Sequence, residues 1–149
     1  MGGSHLVLDD QQSIRELLER TRTIAVLGIK TEAQVGQPAF EIPRYLLHAG
    51  FEVIPVPVYY PEVTEILGQP VVRRLADIGR TVDMVDVFRR PVDLAMHLED
   101  LLEAAPRAVW LQSGIRDDRF AMALADAGII VVQDRCLMVE HQRLVGGAR

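Results

Sequence analysis

Short apolar runs alternate along this chain with segments of helical spacing, and this alternation limits the folds that are open to it. Apolar runs of strand length occupy residues 23–28, 51–56, 82–88, 107–111 and 129–132. Apolar residues at helical spacing occupy residues 13–20, 38–48, 71–77, 91–104 and 117–127. A continuous apolar run is typical of a strand buried on both faces of a parallel sheet. The intervening helices are then right-handed crossovers between parallel strands.

This pattern predicts the α/β class, with a single Rossmann-like, doubly wound domain whose mainly parallel five-stranded sheet is flanked by helices. No repeat or linker divides the 149 residues, a number that suits one domain. We therefore predict a domain over residues 13–145, with an N-terminal tail at 1–12 and a C-terminal tail at 146–149. Because an interior proline is costly, Pro43 predicts that the regular part of the second helix begins near Ile42.

The composition argues against several classes of protein. Apolar residues make up 49% and charged residues 25% of the chain, which is ordinary for a globular protein. A formal net charge of −5 argues against a general nucleic-acid binder, since such proteins present a basic surface to phosphates. No apolar run approaches the roughly 20 residues of a membrane span, and no secretory leader is recognisable. Cys136 is the single cysteine, so no internal disulfide is expected and a cytoplasmic location is predicted.

Residues that could bind an anion follow several of the predicted strands. In a doubly wound sheet, ligands bind beyond the carboxyl ends of the strands, where the strand order reverses. After the first strand, Gly28 permits a sharp turn whose N–H groups could approach a phosphate, and Lys30 adds a positive charge. After the fourth strand, residues 112–114 offer an amide, a hydroxyl and a glycine. The alternative for the first segment is a tight turn with a solvated lysine, and the alternative for residues 112–114 is a plain turn.

Two adjacent arginines follow the third strand. Arg89 and Arg90 stand just before a helix start, where guanidinium groups can bind phosphate in a bidentate manner. Phe88 offers a flat face to a base, or belongs to the core. The alternative for the arginines is a surface pair that balances Asp86 and Asp93. Asp86 is interpreted as a polar residue that flanks the strand and needs no role.

Two common nucleotide-binding motifs are absent. No Gly-x-Gly-x-x-Gly follows the first strand, where the glycine after Gly28 is Gly36, and no acidic residue follows the second strand to hold the ribose of NAD. No Gly-x-x-x-x-Gly-Lys-Ser/Thr loop occurs in the chain. Hydride transfer and NTP hydrolysis are therefore disfavoured. An NAD(P)-dependent oxidoreductase, with the arginine pair at a 2′-phosphate, is kept as the alternative function.

No catalytic or metal-binding residue is predicted. Cys136 follows Arg135, whose charge could activate the thiol, although a buried and inert cysteine is the commoner case. Glu140 and His141 could form an acid–base pair, but neighbours in a strand point to opposite faces, so a structural role is favoured. No zinc-ligand spacing relates the four histidines, which are His5, His48, His97 and His141.

Several sequence blocks resemble those of a known family. They lie at residues 25–28, 44–46, 50–56, 66–68, 85–91, 109–114 and 134–141. The most specific are Val-Phe-Arg-Arg-Pro at 87–91 and Trp-Leu-Gln-Ser-Gly at 110–114. In this order the blocks resemble the small prokaryotic CoA-binding domain proteins, which are similar to the CoA-binding domain of the succinyl-CoA synthetase α-subunit. The resemblance extends over residues 13–144.

The resemblance implies that the chain binds coenzyme A. Residues 28–31 would hold its phosphates, residues 87–89 would line the adenine-nucleotide site, and residues 112–114 would close it. The cofactor-binding residues predicted in this way, with the second arginine included, are Gly28, Ile29, Lys30, Thr31, Val87, Phe88, Arg89, Arg90, Gln112, Ser113 and Gly114. The sequence departs from the family pattern where Lys30 replaces a serine and Pro57 replaces an asparagine.

The predicted function is therefore a non-catalytic carrier, sensor or regulatory module that binds coenzyme A or an acyl-CoA by its adenosine-phosphate part. The synthetase also requires a phosphohistidine domain and a nucleotide-binding partner, for which 149 residues are expected to leave no room. Ligase activity is accordingly not expected. The predicted partner is a small molecule, without nucleic acid or membrane, while homo-oligomerisation and a protein partner stay open.

Overall fold

A computed structural model describes residues 2–146 as a parallel sheet with helices on both faces. The sheet strands are β1 (Val7–Leu8), β2 (Thr23–Leu27), β3 (Glu52–Val56), β6 (Met84–Val87), β7 (Ala108–Leu111) and β8 (Ile130–Val132), and a separate antiparallel hairpin is made by β4 (Glu65–Ile66) and β5 (Gln69–Pro70). The helices are α1 (Gln11–Arg20), α2 (Pro38–His48), α3 (Leu98–Ala104), α4 (Asp118–Asp126) and α5 (Leu137–Leu144). Short 3-10 turns occupy Ser4–Leu6, Glu32–Gln34, Leu75–Ile78 and Pro91–His97.

The strand order is β1-β8-β7-β6-β2-β3, and every neighbouring pair is parallel. The chain passes from β2 outward to β3 and then crosses back to β6 on the other side of β2. The strand order therefore reverses between β2 and β6, where a doubly wound sheet opens a crevice for ligands. The predicted α/β, doubly wound and mainly parallel fold is confirmed.

The sheet has six strands, so the predicted number of five is wrong by one. The additional strand is β1, which pairs with β8 through Val7 with Val131 and Leu8 with Val132. It lies inside the segment that the sequence predicts as an N-terminal tail, because two residues are too few to show the period of a strand. Of the predicted C-terminal tail, residues 147–149 lie outside the described residues.

Apolar side chains alternate along each central strand between two core clusters, one on each face of the sheet. On one face, Val85, Val87 and Val109 pack with residues of α3 and α4. On the other face, Val26 and Trp110 pack with residues of α1, α2 and α5. Burial on both faces explains why these strands appear in the sequence as continuous apolar runs.

Helix α2 begins at Pro38, so the expected start near Ile42 is wrong. Pro43 lies inside the helix and has no N–H to donate to the carbonyl of Ala39, four residues earlier. That carbonyl instead accepts the backbone N–H of Lys30 at 3.0 Å. The proline thus leaves an acceptor through which the turn after β2 is attached to the first turn of α2.

Two other predicted helices are shorter than the sequence pattern suggests. The helix expected over residues 71–77 is a 3-10 turn at Leu75–Ile78, because the N–H of Val72 donates to the carbonyl of Pro55 at 2.9 Å and keeps this segment beside β3. The helix expected over residues 91–104 is divided into the 3-10 turn Pro91–His97 and α3.

The final helix, α5, carries the Glu140–His141 pair, so its assignment to a strand is wrong. Both side chains are buried. Glu140 accepts a hydrogen bond from Arg143 at 2.7 Å, and His141 Nδ1 lies 2.6 Å from the hydroxyl of Tyr45 in α2. The second contact joins α5 to α2, which is a structural use of the histidine.

Asp86 lies in the interior of β6 and is fully buried, so its interpretation as a residue that flanks the strand is wrong. Side-chain alternation directs it towards the face covered by α1, α2 and α5, between Val26 on β2 and Trp110 on β7. Neither carboxylate oxygen has a hydrogen-bond partner among the described residues. Burial without a partner raises the pKa of Asp86 well above its usual value.

Candidate functional site

A cavity of about 710 Å³ lies where β2, β6 and β7 end, beside the reversal of strand order. The turns after these three strands all contribute to its wall. The predicted site residues that line it are Lys30, Phe88, Arg89, Arg90, Gln112, Ser113 and Gly114. The remaining predicted residues, Gly28, Ile29, Thr31 and Val87, are not among the lining residues: Ile29, Thr31 and Val87 are buried, and Gly28 is partly exposed. The structure therefore brings the three predicted turns together at one cavity.

The turn after β2 can offer the ammonium group of Lys30 to a ligand, but not the backbone N–H groups of Gly28, Lys30 and Thr31. The N–H of Gly28 donates to Val56 at 2.9 Å, and that of Lys30 donates to Ala39 at 3.0 Å. The N–H of Thr31 donates to the side chain of Gln34 at 3.0 Å. These donors are occupied within the protein, so Lys30 contributes to the cavity through its ammonium group.

The first turn of α2 forms the neighbouring wall. Gln37 precedes the helix, but its side chain makes no cap and instead accepts a hydrogen bond from Lys30 Nζ at 2.5 Å. The positive end of the α2 dipole and the ammonium group thus face the same space. Glu41 also lines this wall, and a hydrogen bond from the N–H of Gly36, together with Arg44, lowers its pKa.

The two arginines differ in their surroundings. The side chain of Arg90 is 76% exposed and donates to Asp93 at 2.9 Å, which lowers the pKa of Asp93. The side chain of Arg89 is only 8% exposed, and its nearest carboxylate oxygen, on Asp93, is 3.8 Å away. Asp86 contacts neither of them through a hydrogen bond or an ion pair among the described residues. Asp93 thus forms an ion pair with both arginines, but no carboxylate oxygen among the described residues accepts a hydrogen bond from Arg89. A buried guanidinium whose terminal nitrogens have no short hydrogen bond to an anion is suited to receive one from a ligand.

The turn after β7 is held by α5. Gln112 is buried, and its side-chain oxygen accepts the N–H of Leu137 at 3.2 Å at the start of that helix. Gly114 donates its N–H to Asp134 at 2.7 Å, while Ser113 is exposed at the cavity. Gln112 therefore has a structural role besides its place in the wall.

Several lining residues are not among the predicted cofactor-binding residues, including Gln37, Ile42, Cys136 and Met138. They lie at or near the starts of α2 and α5, whereas the predicted residues all lie at strand ends or in the turns after them. Cys136 directly precedes α5 and is partly exposed. The available signal was the rule that helix N-termini accompany strand ends at such crevices.

Among residues 2–146, no group of His, Cys, Asp or Glu side chains is arranged to hold a metal ion. No helix in this range is long and apolar enough to span a membrane.

Comparisons with known proteins show what this chain is similar to. The solved structure of cell-free ID.343 from Thermus thermophilus is 46% identical in sequence and has a TM-score of 0.82, over 91% of this chain and 99% of that one. Uncharacterized protein YneT of Bacillus subtilis is 32% identical over 128 residues, which are 86% of this chain and 91% of that protein. The dinucleotide-forming acetyl-coenzyme A synthetase 1 of Ca. Korarchaeum cryptofilum shares the fold at 20% identity, with a TM-score of 0.65 over 78% of this chain and 26% of that one.

The sequence model of the family described as "CoA binding domain" matches residues 22–142, which include all three turns at the cavity. The resemblance found in the sequence blocks is thereby confirmed. This chain belongs to the CoA binding domain family.

Proposed function

We propose that the cavity binds coenzyme A or an acyl-CoA and that the protein is a non-catalytic carrier, sensor or regulatory module for it. The observation that supports this most is the meeting of Lys30, Arg89 and Arg90 at one cavity of about 710 Å³, in a chain whose net charge is −5. Cations gathered in one place on an acidic protein are suited to phosphate groups. The cavity volume lies within the range of about 300–1,000 Å³ that is usual for small-molecule and cofactor sites.

The two kinds of wall suit the two parts of coenzyme A. We place its phosphates near Lys30, the arginines and the first turn of α2, where positive charge and a helix N-terminus occur together. Its less polar parts then lie against Phe88, Ile42 and Met138. Family membership supports the choice of coenzyme A over other phosphate-bearing ligands.

A thermal unfolding screen should identify the ligand. A ligand at 100 times its dissociation constant stabilises the folded state by about 2.7 kcal/mol. We expect coenzyme A to raise Tm, and NAD and NADP to leave it unchanged at the same concentration. A rise with NADP and none with coenzyme A would instead support the oxidoreductase alternative, and no rise with any of them would favour a module that binds only protein.

Calorimetric titration of single variants should test the cations. We expect Arg89→Ala and Lys30→Ala each to weaken coenzyme A binding by about 10- to 100-fold, the loss of a charge-assisted contact worth about 1.5–3 kcal/mol. The matched control is Arg107→Ala, since Arg107 is exposed and paired with Asp83 at the opposite end of the sheet. Equal affinity in all three variants and the wild type would remove Lys30 and Arg89 from the binding site.

A further inference from the structure

Among residues 2–146, the buried guanidinium of Arg89 has one short hydrogen bond, which it makes to His97. Arg89 Nε donates to His97 Nε2 at 3.0 Å. The terminal nitrogens have more distant neighbours, which are the hydroxyl of Tyr59 at 3.4 Å, the sulfur of Met96 at 3.6 Å and a carboxylate oxygen of Asp93 at 3.8 Å. The Tyr59 ring centroid lies 5.6 Å from the guanidinium carbon. The short bond therefore occupies Nε and leaves the outer edge of the guanidinium for another acceptor.

This contact determines the protonation state of His97. An arginine nitrogen can only donate, so Nε2 of the imidazole must accept and the imidazole proton must be on Nδ1. A doubly protonated imidazole has no acceptor and would repel the guanidinium. The observed contact thus requires a neutral His97.

The charged groups around His97 come from three elements. Arg89 faces it from the turn after β6, Asp93 lies in the same 3-10 turn, and Asp100 faces it from α3. Burial lowers the pKa of His97 below its usual value of 6.5, and Arg89 lowers it further, while Asp100 and Asp93 oppose the shift. Asp93 pairs with Arg90, and Asp100 accepts the N–H groups of Leu75 and Ala76. His97 is accordingly neutral near pH 7.

We propose that neutral His97 is a positioning residue, which holds Nε of Arg89 so that the outer edge of the guanidinium stays available to a phosphate of the ligand. His97 is not one of the residues that line the cavity, so it acts through Arg89. This inference rests on the proposed binding of coenzyme A. Its physical basis is competition: without the acceptor, Arg89 is free to turn to Asp93, whose carboxylate is only 3.8 Å away.

Two polar variants separate positioning from simple packing. In His97→Gln the side-chain oxygen reaches about as far as Nε2 and can accept from Arg89, whereas the side chain of His97→Asn is too short. In calorimetric titrations of coenzyme A at pH 7.5, we expect His97→Gln to bind within about threefold of the wild type and His97→Asn about tenfold more weakly, as for a hydrogen bond to a charged group. Equal affinity of the Asn variant and the wild type would overturn the proposal.

The pH profile provides a readout that packing does not change. On lowering the pH from 7.5 to 5.5, the wild type should lose affinity relative to His97→Gln, because protonation removes the acceptor only from the histidine. The phosphates of the ligand titrate equally for both proteins, so the ratio of the two affinities isolates His97. A ratio that does not change with pH while His97 becomes protonated, as followed by NMR, would overturn the proposal.

Nitrogen-15 NMR of the imidazole tests the same contact without a ligand. We expect His97 to carry its proton on Nδ1 near pH 7.5, and a proton on Nε2 would contradict the bond to Arg89. A wild type that binds no coenzyme A would overturn the proposed function and with it this role. Binding that is insensitive to both His97 variants would overturn the role of His97 alone.

Discussion

Replacing Asp86 with valine is expected to raise the free energy of unfolding at pH 7 by about 3 kcal/mol. A buried polar group without a partner costs about 1–3 kcal/mol even when it is uncharged. This cost applies to Asp86 in full, because the residue is buried and neither of its carboxylate oxygens has a hydrogen-bond partner among the described residues. The indole N–H of the adjacent Trp110 is not available to it, since it donates to the carbonyl of Arg135 at 2.8 Å. Denaturant unfolding of the wild type and the valine variant measures the difference, provided that the unfolding free energy depends on denaturant concentration with the same slope in both proteins.

The pH dependence of the same position follows from its raised pKa. Between the pKa of an aspartate in the unfolded chain, about 3.9, and the higher pKa of buried Asp86, the folded state binds the additional proton. Stability from this group is therefore complete below about pH 4 and is lost as the pH rises towards the folded-state pKa, by at most about 1.4 kcal/mol per pH unit.

Asp86→Asn is the matched control, because it keeps the shape of the side chain and removes its titration. The difference in unfolding free energy between this variant and the wild type should grow from pH 4 to pH 7. The valine variant should be more stable than the asparagine variant at every pH, since the amide is also left without a partner. A difference that stays constant with pH, or a valine variant less stable than the wild type at pH 7, would show that the Asp86 carboxylate is stabilised in the folded protein.

Gly28→Ala is expected to destabilise the protein by about 3 kcal/mol or more, the range of substitutions that strain both backbone and packing. A Cβ at this position would lie 2.4 Å from the carbonyl oxygen of Phe88 and 3.1 Å from its carbonyl carbon. These atoms belong to the backbone and cannot rotate away. The collision would separate β2 from β6 at the edge of the cavity, where the N–H of Phe88 donates to Leu27 at 2.9 Å.

Gly128→Ala separates this collision from the cost of the backbone angle. Gly28 has a φ of +87° and Gly128 a φ of +88°, but nothing lies within 4 Å of a Cβ at Gly128. The control should lose only about 1–2 kcal/mol, the cost of a left-handed conformation for alanine. Unfolding measured by heat or denaturant compares the two. Equal losses in both variants would show that the strand ends adapt to the added methyl group.

Much of the fold could be predicted from local patterns of apolar and turn-forming residues. Apolar runs such as residues 23–28 indicated buried parallel strands, and the glycines and cations after them indicated turns at one edge of the sheet. Parallel strands bring their carboxyl ends to a common edge, so Lys30, Arg89 and Gln112 could be expected at one place. Strand β1 escaped because it is too short to show a period. Helix α5 was not predicted, because Glu140 and His141 were expected to be neighbours in a strand.

What the sequence by itself determined is the class of fold and the edge of the sheet where the site lies, because side-chain period and turn chemistry are properties of adjacent residues. Only the tertiary structure decided which of two adjacent arginines is buried, that Arg89 contacts His97, and that Asp86 lies in the core without a partner. These features depend on which strands become neighbours and on which helix covers each face. The burial and the hydrogen-bond partners of a polar side chain are set by residues that are distant in the chain. They therefore cannot be inferred from the residues that are adjacent to it in the sequence.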